Sequence, residues 1–158
     1  MRRRLIAAAM LAVAICATPA LVQQTAPPRP ATGGAGVSVS GIGKLAFAEK
    51  PQRSTDQEQE TLALQLVDSL GYGCRGHEMY RWRFAEEEPD RAQQIVSAGE
   101  RALKDKGYAV SALPVEIDTL TALMGRHPNK AQADATVLAL WYASDQGVDL
   151  TLCRVREK

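Results

Sequence analysis

Residues 135–156, ATVLALWYASDQGVDLTLCRVR, are the stretch that decides the fold of this chain. The run from Val137 to Tyr142 is apolar at every position, which is typical of a strand covered on both faces. Ser144-Asp145-Gln146-Gly147 then offers turn chemistry, because aspartate bonds nearby amides and glycine tolerates a positive φ. Apolar and more polar residues alternate from Val148 onward. The stretch therefore predicts a C-terminal β-hairpin.

Two longer patterns before this hairpin predict helices. Residues 55–58, TDQE, fit a capping box led by Thr55, and apolar residues follow at helical spacing up to Leu70. A second helix opens at 86–90, EEEPD, where proline suits the first turn and carboxylates suit the positive end of the helix dipole. This second pattern ends at Gly107.

The remaining segments predict two strands and a short helix. Residues 77–85 alternate with a period of two, and 108–113 form a second strand that Pro114 ends. Residues 118–125 fit a short third helix. The order α-β-α-β-(α)-β-β predicts a single small α+β domain. Its sheet is mixed or mostly antiparallel, with about four strands and two main helices.

The N-terminal 20 residues have the features of a secretory signal peptide. Basic residues 2–4 precede an apolar run, and Thr18-Pro19-Ala20 offers small residues at a cleavage site near Ala20. An uncleaved membrane anchor is the alternative, but residues 5–22 are only just long enough to span and Pro19 interrupts them. We therefore expect a periplasmic or secreted protein with no stable membrane span after the signal is removed.

Residues 21–53 are rich in proline, glycine and alanine, which predicts a flexible linker before a domain at 54–158. Val37, Val39 and Ile42 alternate weakly with serine and glycine, and they fit either a short edge strand or no strand at all.

The charge balance excludes one class of partner. The chain has 19 Lys+Arg and 18 Asp+Glu, and removal of the three arginines at positions 2–4 leaves 16 basic residues against 18 acidic ones. A net charge of −2 implies no basic face, so nucleic acid is not an expected partner.

Two cysteines remain after Cys16 leaves with the signal, namely Cys74 and Cys153. In an oxidising compartment such a pair predicts one disulfide, which would join the last strand to the loop after the first helix. A reactive thiol is the alternative, but the chain has no C-x-x-C motif. If Val148 and Leu152 face the core, Cys153 faces away from it. Either the last strand is irregular there, or the second face of the sheet is also covered.

A weak binding site is predicted on one strand. Arg75, Arg81 and Arg83 could form a basic stripe for a carboxylate, a phosphate or an acidic partner. The alternative is an ordinary solvated strand face. Trp141 and Tyr142 are expected in the core, unless one sheet face is open, in which case this aromatic and arginine surface becomes the first candidate site.

No catalytic constellation, metal site or cofactor is predicted. His77 and His127 follow no metal-ligand spacing, and the chain has no nucleophile-elbow, P-loop or dinucleotide motif. The leading hypothesis is a small exported binding or accessory domain for an envelope protein partner or a small anionic ligand. One alternative is an enzyme whose site combines scattered residues such as Glu78, Asp118 and His127 with Arg81. Another is a structural component of the cell envelope.

Overall fold

The computed structural model describes residues 35–84, 89–131 and 133–158. The predicted signal peptide (1–20) and residues 21–34 of the predicted linker lie outside these ranges. The elements, in chain order, are β1 (Ala35–Val39), β2 (Gly43–Phe47), β3 (Gln52–Arg53), α1 (Gln57–Ser69), β4 (Tyr72–Arg83), α2 (Pro89–Asp105), β5 (Ala109–Leu113), β6 (Leu120–Arg126), β7 (Thr136–Ser144) and β8 (Gly147–Glu157).

Strands β3 to β8 form a six-stranded sheet in the order β3-β4-β8-β7-β6-β5, and every neighbouring pair is antiparallel. Strands β1 and β2 form a separate antiparallel pair. The α+β fold, the mostly antiparallel sheet and the C-terminal hairpin β7–β8 are therefore confirmed. The predicted number of about four strands is wrong.

The predicted short helix at 118–125 is strand β6. Ala122 and Met124 face the α1 side of the sheet, whereas Leu123 faces the α2 side. Since β6 is buried on both faces, apolar residues occur at both parities, and their spacing resembles that of a helix.

Residues 35–53, which the sequence assigned to a linker, contain strands β1 to β3. Val37 pairs with Leu45 in the β1–β2 register, and both side chains are buried together with Val39 and Phe47. The glycine- and serine-rich composition concealed this hairpin, because such a composition is typical of flexible linkers.

Each face of the six-stranded sheet carries its own hydrophobic core. The α2-side core includes Leu103 of α2, Leu45 of the β1–β2 hairpin and Leu150 of β8. The α1-side core includes Val67 of α1 and Leu138 of β7. Strand β7 is apolar at both parities because it separates these two cores.

The predicted disulfide joins Cys74 and Cys153, with the two Cα atoms 5.7 Å apart. Cys153 is fully buried in the α1-side core, so the second face of the sheet is indeed covered, and α1 covers it. Cys74 lies within β4 and not in a loop, next to a register shift between Cys74 and Gly76 where β4 pairs with β8. The bond therefore staples two neighbouring strands of the sheet.

Local chemistry explains where α1 and β8 begin. The N-cap of α1 is Asp56 and not Thr55, because the Asp56 carboxylate accepts the backbone N–H groups of Glu58 and Gln59. β8 begins at Gly147, with φ 152°, and a Cβ there would lie 2.0 Å from the carbonyl oxygen of Trp82. Only glycine fits this close approach of β8 to β4.

Within the described ranges, neither helix combines the length and the apolar character that crossing a membrane requires.

Candidate functional site

An open groove of about 430 Å³ lies beside α1 on the α1 side of the sheet, and we call it the α1 groove. The groove runs between α1 and the loop that joins β5 to β6, above β7 and β8. Leu140 and Thr151 form part of the floor, and Ile117, in the loop between β5 and β6, forms the opposite wall. The volume falls within the range of ligand-binding clefts.

The spacing of residues on α1 directs one row of side chains into the groove. Glu58, Leu62 and Leu66 are four residues apart, so they lie one above another on the same helix face. Val67 lies on the adjacent face and is buried against the sheet. The apolar surface of α1 is therefore wider than the part that the sheet covers.

Three large apolar side chains are exposed in the described part of the chain, and all three line the α1 groove. Leu62 is 61% exposed, Ile117 is 51% exposed and Tyr142 is 48% exposed. Exposed apolar residues scattered singly are normal on protein surfaces. Their convergence from a helix, a loop and a strand onto one groove is the pattern of a binding surface.

One end of the groove is charged. The Arg81 guanidinium forms an ion pair with Asp149, and its Nη2 lies 3.3 Å from Oδ2 of Asp56 and 3.0 Å from Oε1 of Gln59. The hydrogen bond to Asp149 raises the pKa of Arg81 above its ordinary value. The backbone N–H of Gln59, followed by the Arg81 side chain, lowers the pKa of Asp56. Arg81 and Asp56 are therefore held in their charged forms.

The charge of this end is negative on balance. Asp56, Glu58 and Asp149 bring three carboxylates into the groove lining, against the single guanidinium of Arg81. Arg81 is already occupied by its carboxylate partners. The end of the groove therefore attracts a cation better than an anion.

The structure does not gather the three predicted arginines into one cluster. Arg75 lies at the register shift of β4 and Arg83 at the other end of that strand, roughly 26 Å away at about 3.3 Å per residue. Both side chains are exposed, whereas only Arg81 lines the groove. Tyr142 also reaches the groove, while Trp141 is buried in the α2-side core.

The sequence did not reveal two of the groove residues. Leu62 belongs to the helical apolar pattern, which predicted a buried position, and Ile117 lies in a segment without a regular pattern. Leu62 stays exposed because it faces the groove, whereas Val67 on the adjacent face of α1 is buried. The only sequence signal for such a site is an apolar stripe wider than one helix contact requires.

The scattered polar residues Glu78, Arg81, Asp118 and His127 do not share a site, and only Arg81 lines the groove. Glu78 lies on the opposite face, where it accepts the N–H of Ser40 and the hydroxyl of Tyr80, each at 2.7 Å. Burial, followed by this hydrogen bond, raises the pKa of Tyr80.

The two histidines have separate structural surroundings. His127 contacts the Tyr108 ring, and His77 lies 3.0 Å from Glu60. Within the described ranges, the His, Cys, Asp and Glu side chains form no group of three or more that could hold a metal ion.

Comparisons with known proteins add no relative. No protein-family model matches the chain, and no curated protein or solved structure matches it significantly.

Proposed function

We propose that the chain is an exported, non-catalytic binding or accessory domain that holds a protein partner in the α1 groove. The observation that carries this proposal is the convergence of Leu62, Ile117 and Tyr142, which are large, apolar and exposed, on one groove. Apolar contacts at such a groove would supply most of the binding energy, since burial of apolar surface gives about 25 cal/mol per Å².

The partner that fits the groove is a segment with apolar residues flanked by lysine or arginine. Asp56, Glu58 and Asp149 would attract those cations at the charged end. A small anionic ligand, which the sequence left open, would meet these carboxylates, and Arg81 is already occupied. The charge balance therefore favours a basic protein segment over a small anion.

Export rests on two features. The first 20 residues have the order of a signal peptide, and Cys74 and Cys153 form a disulfide, which persists in oxidising compartments. The protein would work in the periplasm or outside the cell. Fractionation followed by N-terminal sequencing tests this, with Leu21 as the expected first residue. Recovery of the intact chain in the cytoplasm would contradict export.

Binding is tested with two synthetic peptides that share an apolar centre and differ only in flanking lysines or glutamates. We expect fluorescence anisotropy to detect binding of the lysine peptide to the purified exported protein. The glutamate peptide should bind at least about tenfold more weakly. Leu62→Ser and Ile117→Ser should each weaken binding of the lysine peptide by roughly tenfold, because each removes apolar contact area. Stability should change little, since both side chains are more than half exposed.

Gln93→Ser, on the exposed surface of α2, is the matched control and should leave peptide binding unchanged. Equal affinity for both peptides, or binding that the Leu62 and Ile117 variants do not alter, would contradict the proposal. Binding of inorganic phosphate to the same protein tests the alternative of a small anionic ligand. Turnover of a substrate by protein that binds neither peptide would replace the proposal with an enzymatic one.

A further inference from the structure

Strand β5 forms one edge of the six-stranded sheet, and in the described part of the chain only β6 pairs with it. Ala109, Ser111 and Ala112 are exposed, whereas Val110 packs against the α2-side core and Leu113 against the α1-side core. An edge strand presents unpaired N–H and C=O groups on its outer side. Such a row of groups can accept one further strand.

The five residues of β5 carry fewer of the devices that prevent edge pairing than the opposite edge does, although Pro114 directly follows them. The strand from Ala109 to Leu113, AVSAL, has no charged residue and no proline, and its ladder with β6 has no register shift. The opposite edge differs, because β3 has only two residues and includes Arg53, and β4 is irregular between Cys74 and Gly76. Short strands, charges and bulges are known protections of an edge.

The residues that flank β5 are complementary to each other in charge. Lys106 lies five positions before Ser111 and Glu116 lies five positions after it, and both are exposed. In the described part of the chain neither side chain has an ion-pair partner. In an antiparallel pair of identical strands centred on Ser111, the end of β5 next to Lys106, which lies in the turn after α2, is beside the end of the other copy that leads to Glu116.

We propose that β5 is a self-pairing edge, through which two copies of the chain form an antiparallel dimer with Ser111 opposite its own copy. Val110 of one copy then lies opposite Ala112 of the other, so no large side chains clash across the new ladder. The two-fold axis brings Lys106 of each copy near Glu116 of the other copy. The interface is small, so the dimer forms reversibly and its population depends on concentration.

A charge swap tests the register and the occupant together. Sedimentation velocity over a concentration series should show a monomer–dimer equilibrium for the purified protein. Lys106→Glu and Glu116→Lys should each weaken dimerisation by roughly tenfold, because each places like charges together twice. The double variant should restore dimerisation. Lys50→Glu, exposed and near the β3 edge, should leave it unchanged.

Cysteine cross-linking tests the same strand register independently. Ser111→Cys should give a disulfide-linked dimer on mild oxidation, since directly opposed Cβ atoms lie about 5 Å apart. Ala112→Cys should not, because its symmetry copy is diagonal to it. A protein that stays monomeric at all concentrations overturns the proposal. Single charge variants that dimerise like the original, or equal cross-linking at both positions, overturn it too.

Discussion

Arg81 on β4 and Asp149 on β8 lie directly opposite each other in the sheet, and their ion pair closes one end of the α1 groove. Arg81 is 21% exposed and Asp149 15% exposed, so both charges are largely removed from water. The arginine is therefore part of the frame of the groove, holding the start of α1 through Asp56 and Gln59. An anionic ligand at this end would therefore meet an arginine that is already paired.

We expect Asp149→Ala to lower the free energy of unfolding by roughly 1 to 3 kcal/mol, because it leaves the half-buried Arg81 without its main partner. The double variant Arg81→Ala/Asp149→Ala should lose less than the sum of the single losses. Urea unfolding of the four proteins measures the coupling. Arg83→Ala, at an exposed position of the same strand, should change stability by about 0.5 kcal/mol or less. Strictly additive losses would contradict a direct pair.

This pair marks the limit of what the sequence could predict. The hairpin at 136–157 was predictable because its turn and its two strands are adjacent in the chain. Pairing of β4 with β8 joins residues 68 positions apart, and alternation within each strand does not determine which strands become neighbours. The arginine was therefore visible in the sequence, but its partner was not.

The groove was hidden for a related reason. Leu62 belongs to an apolar stripe that the helical pattern predicted to be buried, but it faces the groove and stays exposed. Tyr142 was recognised as a candidate only if one sheet face were open. That face is buried at Cys153, yet Tyr142 reaches the groove between α1 and the β5–β6 loop, an arrangement that depends on tertiary packing.

The disulfide gives a direct prediction for exported protein that begins at Leu21. Thiol labelling after denaturation without reduction should find no free cysteine, and labelling after reduction should find two. Reduction should lower the free energy of unfolding by roughly 4 to 5 kcal/mol, because the bond between Cys74 and Cys153 spans 79 positions and restricts the unfolded chain. Cys74→Ala/Cys153→Ala should show a similar loss. Stoichiometric labelling of both cysteines without reduction would contradict the bond.

For Gly99 in α2 we predict a change in stability that is opposite to the usual effect of Gly→Ala in a helix. Gly→Ala in a helix normally stabilises by about 1 kcal/mol. At Gly99, however, a Cβ would lie 2.1 Å from a ring carbon of Trp141, which is buried in the α2-side core. We therefore expect Gly99→Ala to destabilise by roughly 1 to 3 kcal/mol in thermal or urea unfolding. Ser97→Ala in the same helix, which adds propensity without this clash, should be neutral or stabilising.

The low pKa of Asp56 predicts a pH dependence of stability. Because the folded carboxyl binds its proton below its ordinary pKa of 3.8, the unfolded chain takes up that proton first as the pH falls. The contribution of Asp56 to the free energy of unfolding is therefore complete above that value and is lost as the pH falls through the folded pKa. Asp56→Asn keeps a good N-cap but removes the charge that pairs with Arg81.

The difference in free energy of unfolding between the original protein and Asp56→Asn should be constant near neutral pH and should shrink below about pH 4. Urea unfolding at a series of pH values measures it. Thr55→Ala, a neutral change at the neighbouring position, should differ from the original protein by the same amount at every pH. A difference for Asp56→Asn that stays constant into strong acid would mean that the helix cap does not depend on the charge of Asp56.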